Sequence, residues 1–246
     1  MRVIISPAKK MKIDTDTLAY NQLPEFIKDT EILMEYLKGL SYEELKSIWN
    51  CSDKIATLNY ERMQNMDLYG NLTPAIIAFK GIQYQYMAPV VFQADEYAYL
   101  EKHLRILSGF YGMLSPFDGV VPYRMEMQAK LKGDKLNSLY EFWNSRLAEK
   151  LFSESHCIVN LASKEYSKCI SDYLNEKIRF VTCVFGEMIG EKVIEKGTLV
   201  KMARGEMVRF MAENKIEDVE DIKGFNRLNY VFVDHLSDKD RYVFIR

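Results

Sequence analysis

The chain has 246 residues, 48% hydrophobic and 28% charged, with a formal net charge of −2. These values are ordinary for a globular protein and exclude both a disordered chain and one that coats nucleic acid indiscriminately. They leave room for a local basic patch, because binding depends on where charge sits.

Arg2–Ile5 reads as a short buried strand stopped by Pro7. It is too short for a signal peptide, and no window approaches the roughly 20 apolar residues that span a bilayer. Pro24–Lys38 predicts a helix, with Pro24 in the first turn and Gly39 at the end. Ser41-Tyr42-Glu43-Glu44 is a capping box that opens a second helix, and Ser52 or Asp53 caps a third. Ala75–Phe79 reads as a buried strand running into Lys80-Gly81. Asp95 is the expected cap of a helix reaching Leu107. Gly109, Gly112, Pro116, Gly119 and Pro122 then break regular structure, and Ser138 opens a helix to about Phe152.

Cys157–Leu161 is the next expected strand. Ile178–Phe185 and Thr198–Met202 read as strands joined across Gly186, Gly190 and Gly197. A helix over Gly205–Asn214 follows, and Tyr230–Asp234 with Arg241–Ile245 forms a closing hairpin. Strands and helices intermix throughout, which predicts an α/β (mixed α+β) fold: one domain over residues 1–246, with a mixed sheet surrounded by helices.

Cys51, Cys157, Cys169 and Cys183 form no C-x-x-C pair, so free thiols in a reducing cytoplasm are expected. His103, His156 and His235 make no ligand pattern, so no metal and no cofactor is expected. Walker, nucleophile-elbow, dinucleotide and H-E-x-x-H motifs are all missing from the sequence.

Several expected strands run into small polar and cationic residues. The first leads to Ser6 and then Lys9-Lys10, the second to Lys80, the third to Ser163, and the one at Val200 to Lys201, Arg204 and Arg209. In open α/β sheets ligands collect at the carboxyl ends of strands, so these residues predict one anion-binding crevice. The segment Leu104–Met127 adds Arg105, Ser108, Tyr111, Tyr123 and Arg124, with Asp118 and Glu126 placed to orient the arginines. For each cation alone, a solvated surface position is the competing reading.

Together, Ile5-Ser6-Pro7-Ala8-Lys9, Ala78-Phe79-Lys80-Gly81, Leu107-Ser108-Gly109, Pro122-Tyr123-Arg124, Asn160-Leu161-Ala162-Ser163 and Ala203-Arg204-Gly205 are specific in order and spacing. The chain resembles the YaaA family of bacterial peroxide-stress proteins along nearly its whole length. The resemblance implies an intracellular protein that limits hydrogen peroxide and free-iron damage. It also implies an unusual fold with a positively charged cleft, and DNA binding aided by a helix-hairpin-helix element.

Two segments fit that element: Ser41–Arg62, with Lys54 in the first turn of its second helix, and Ile216–Asn226. The first is favoured, although neither carries the usual paired-glycine hairpin. Ile82-Gln83 stands where the family commonly has an acidic residue, and Ser115 where it often has an arginine.

The leading functional expectation is DNA binding with little sequence preference, in which the cations named above contact phosphate. The alternative is an enzyme acting on DNA or on a small anionic substrate in the same cleft. Direct iron binding is disfavoured by the scattered histidines and unspaced cysteines.

Overall fold

The computed structural model describes residues 1–131 and 137–246. At its centre lies an eight-stranded sheet. In chain order the strands are β1 (Arg2–Ile5), β2 (Leu104–Ser108), β3 (Gly112–Leu114), β4 (Cys157–Leu161), β5 (Arg179–Ile189), β6 (Lys192–Ile194), β7 (Val231–Phe232) and β8 (Arg241–Ile245). Across the sheet the order is β7-β8-β5-β4-β1-β2-β3, with β6 paired to the far end of β5. Strands β8, β5, β4, β1 and β2 run parallel, and β7 and β3 are antiparallel edges. The inner strands are apolar runs, as strands buried on both faces must be. Val3, Ile4, Ile5, Ile106, Leu107, Ile158 and Val159 are all buried.

Eight helices of at least six residues surround the sheet among the described residues: α1 (Ile27–Lys38), α2 (Tyr42–Trp49), α3 (Asp53–Gln64), α4 (Ile82–Met87), α5 (Ala94–His103), α6 (Arg146–Glu154), α7 (Lys164–Ser171) and α8 (Gly197–Glu213). The expected capping box is present: Ser41 Oγ accepts from the Glu44 N–H, and the Glu44 carboxylate accepts from the Ser41 N–H. The buried apolar residues of sheet and helices form one continuous cluster.

The structure corrects several sequence expectations. Ala75–Ala78 is a single helical turn, followed by a two-residue strand Phe79–Lys80. Ala75–Phe79 are buried on every side, so periodicity could not distinguish helix from strand. The helix expected to reach Leu107 ends at His103, and Leu104–Ser108 is strand β2 beside β1. Its cap is Gln93, paired with Glu96 in a capping box, not Asp95. Thr198–Met202 is helical, the start of α8, because Val200, Ala203, Met207 and Met211 together bury one helical face. The helix expected from Ser138 to Phe152 is two pieces, Leu139–Trp143 and α6, broken at Asn144 with φ of 47°.

The sheet order contains a switch point. From β1 the chain passes to β2 on one side, and then returns to place β4 on the other side of β1. Connections therefore diverge at the β1–β4 boundary, a topological switch point of the kind at which open α/β sheets commonly hold ligands. The residues just past the carboxyl ends of these two strands are Ser6 and Ser163.

Candidate anion-binding site

Ser6 and Ser163 face each other across the switch point. The Ser163 N–H donates to Ser6 Oγ at 2.8 Å, and the two hydroxyls are 3.2 Å apart. Tyr84 of α4 donates its hydroxyl to the Ser6 carbonyl at 3.0 Å, which ties that helix to the same edge.

Ser108 ends β2 beside them. Its Oγ accepts the N–H groups of Phe110 at 3.2 Å and Tyr111 at 2.9 Å, and it lies 2.7 Å from the Tyr123 hydroxyl. A serine oxygen has two acceptor positions and one proton. With both positions filled by amides, Ser108 donates to Tyr123 and leaves the phenol proton free to donate elsewhere. Burial pushes the Tyr123 pKa above its ordinary value, opposed by the Ser108 hydrogen bond.

The chain after β1 brings the charges. Lys9 pairs with Glu126 at 2.8 Å, and Arg124 lies 3.7 Å from the same carboxylate. Arg124 Nε is sealed from solvent without an acceptor. Glu165, in the first turn of α7, accepts the Gln128 N–H, and burial raises its carboxyl above the usual range. Lys10 and Lys80 sit directly opposite each other where Lys10–Met11 pairs antiparallel with Phe79–Lys80. Both are exposed, and neither has an ion-pair partner among the described residues. Like charges directly opposite in a ladder repel.

Not every expected residue joins this edge. Arg105 lies toward the amino end of β2, where its Nε bonds Glu154 at 2.8 Å and its terminal nitrogen bonds the carbonyls of Glu101 and Leu104. It is buried and already paired, away from the cations that follow β1. Arg209 is held by Glu213 at 2.7 Å. Tyr111 is fully buried, with its hydroxyl accepting the Val121 N–H. Asp118 orients no arginine: it accepts from Gln22 Nε2 and the Ser115 N–H, and burial raises its pKa to about 7. Lys201 is exposed on α8, and Lys54 is exposed in the first turn of α3, next to an Asp53–Lys46 pair. Arg204 makes no ion pair among the described residues, although Glu195 is near enough to act on its charge.

Of the two helix-hairpin-helix candidates, Ser41–Arg62 is two helices joined through Asn50 in a left-handed conformation. Val219–Gly224 is one 3₁₀ segment.

Comparison with known proteins agrees along the whole chain. The family model described as peroxide stress protein YaaA matches residues 1–236. The chain belongs to the YaaA peroxide-stress family. Its relatives include a UPF0246 protein of Agathobacter rectalis, 54% identical over 246 residues, covering 100% of this chain and 99% of that protein. One from Lachnoclostridium phytofermentans is 56% identical with 100% and 96% covered, and one from Pediococcus pentosaceus is 52% identical with 100% and 98% covered. The YaaA resemblance read from the sequence is thus shown.

Among the described residues no group of three or more His, Cys, Asp or Glu is arranged to hold a metal, and no helix is long and apolar enough to cross a membrane.

Sequence reasoning missed Tyr84 and Glu154. Tyr84 lies in a stretch with no polar spacing pattern. Glu154 ends an amphipathic helix, where a carboxylate reads as solvated surface.

Proposed function

We propose that this member of the peroxide-stress family binds the phosphate backbone of DNA along the carboxyl edge of its sheet, with little sequence preference. The observation that carries the reading is the Lys10–Lys80 pair: two exposed ammonium groups held opposite each other, without a carboxylate, beside the switch point. A phosphate between them turns a repulsion into two charge-assisted contacts. Lys9 and Arg124 supply further charge but share Glu126. Phosphate contacts fix position without reading bases.

The test is fluorescence anisotropy of a labelled duplex across a salt series. Binding at low salt whose log K falls linearly with log salt concentration supports the reading. Binding indifferent to salt, or none to duplex or branched DNA at low salt, refutes it.

A second reading, an enzyme acting on a small anionic substrate, is favoured by the Ser108–Tyr123 arrangement, which frees a buried phenol proton to donate to developing negative charge. Turnover of DNA lesions or phosphate esters that falls on Tyr123→Phe supports it. No product across such a panel removes it.

A further inference from the structure

α8 crosses α4 at very short range. A Cβ at Gly205 would lie 2.1 Å from the Gln83 carbonyl oxygen and 2.9 Å from the Met87 nitrogen, so only glycine permits the contact. The residue before it, Arg204, makes no hydrogen bond or ion pair among the described residues, and its Nε is sealed from solvent without an acceptor. Its nearest titratable neighbours are Glu195, which makes no ion pair with it, and the buried Cys183, whose thiol burial keeps neutral. Burial pulls the guanidinium below its ordinary pKa.

On the facing helix, Gln83 is 6% exposed and its Nε2 also lacks an acceptor. An unpaired buried donor is among the costlier defects a fold can carry, and more so on a charged group. Arg2 and Arg105, the other arginines packed against this sheet's inner strands, both rest on Glu154. Methionine and leucine would fill the space of Arg204 and Gln83 without either defect.

The location is also informative. Cys183 follows Thr182, which pairs with Asn160 one residue before the end of β4. Cys183 lies near that edge, one strand beyond the switch point, and Arg204 is close enough to act on it electrostatically. α4 reaches the switch point as well, through Tyr84 and Ser6.

We propose that Arg204 and Gln83 form a recessed site for a single phosphate group, free or carried on a nucleoside monophosphate, separate from the lysine surface. Arginine offers a planar fork and glutamine an amide N–H₂, which together match an anion with three or more acceptor oxygens better than a two-oxygen carboxylate. The site stands independently of the DNA reading.

The experiment measures melting temperature and calorimetric binding for the full chain with sodium phosphate, a nucleoside 5′-monophosphate, or acetate at matched ionic strength. Phosphate or the monophosphate is expected to raise the melting temperature, and acetate not. Arg204→Met is expected to melt at or above the wild type without ligand, because an uncompensated charge is gone, and to lose the phosphate response. Gln83→Leu and Arg204→Lys, milder changes that preserve packing or charge, are expected to weaken phosphate by about tenfold, the loss of one charge-assisted bond. Lys10→Ala/Lys80→Ala is expected to keep the phosphate response while weakening duplex binding, so the two readings fail separately. No response to either phosphate at millimolar concentration, an equal response to acetate, a response that survives Arg204→Met, or one left unweakened by Gln83→Leu would overturn the proposal. A ligand-free Arg204→Met that melts far below wild type would mark Arg204 as structural and would also overturn it.

Discussion

The two ends of the parallel sheet treat positive charge in opposite ways. At the amino end Arg2 and Arg105 share Glu154, at 2.9 Å and 2.8 Å, and Arg179 pairs with Glu220 at 2.5 Å. At the carboxyl end Lys10 and Lys80 oppose each other unpaired, and Arg204 has no counter-charge in contact. Both ends are cationic in sequence, so composition does not separate them. The difference teaches that the arginines at the amino end each rest on a carboxylate, whereas at the carboxyl edge Lys9 and Arg124 share the single carboxylate of Glu126, and Lys10, Lys80 and Arg204 have none in contact among the described residues.

The comparison breaks most readily at the amino end. Glu154→Gln leaves two arginine side chains of at most 18% exposure without a carboxylate. Removing one partner of such a cluster costs about 3–5 kcal/mol. Denaturant unfolding is expected to show that loss, with duplex affinity unchanged per folded molecule. A loss of affinity without a loss of stability would place function at the wrong end.

Next comes the α4–α8 contact. Gly205→Ala forces a methyl onto the Gln83 carbonyl, and overpacking of this kind costs about 1–3 kcal/mol or more. Thermal melting checks it, and a fully stable alanine variant would mean that the helices part easily.

Asp118 sharpens the comparison from the electrostatic side. Its folded pKa of about 7 lies above the ordinary value of 3.8, chiefly through burial. The folded state therefore holds a proton that the unfolded chain releases, and stability falls as pH rises from about 4 to 7. Asparagine keeps both hydrogen bonds if the Gln22 amide turns over. Asp118→Asn is expected to be less pH-dependent than wild type and more stable above pH 7, by roughly 1–2 kcal/mol. Parallel pH–stability curves for the two proteins would contradict this.

The smallest effect is at the lysine pair. Lys10→Ala relieves a cross-strand repulsion, so the unliganded protein is expected to gain up to about 0.5 kcal/mol while losing duplex affinity. A variant that loses stability instead would show that the pair is already neutralised within the fold.

Much of this was legible in the sequence, for stated reasons. β1 and β4 were readable because each is a short apolar run followed by a small polar residue, and that same pattern picked out Ser6 and Ser163. The capping box at Ser41 carried its helix start directly. β2 was not readable, because Leu104–Leu107 continues the apolar spacing of α5 and only pairing with β1 settles it. Arg105 was grouped with the anion-binding cations of the Leu104–Met127 segment, whereas as a residue of β2 it meets Glu154. Arg204 was noticed as one of three cations after a supposed strand at Val200. Its meaning depends on α8 being a helix packed against α4, which no local pattern reveals.

The contrast between the two ends is tested most directly by lysine acylation of the full chain with and without saturating duplex at low salt, read by mass spectrometry. Lys10 and Lys80 are expected to become protected, while Lys28 and Lys102, paired with Glu31 and Glu217, keep their reactivity. Protection confined to lysines away from the carboxyl edge, or unchanged reactivity at Lys10 and Lys80, would contradict the account.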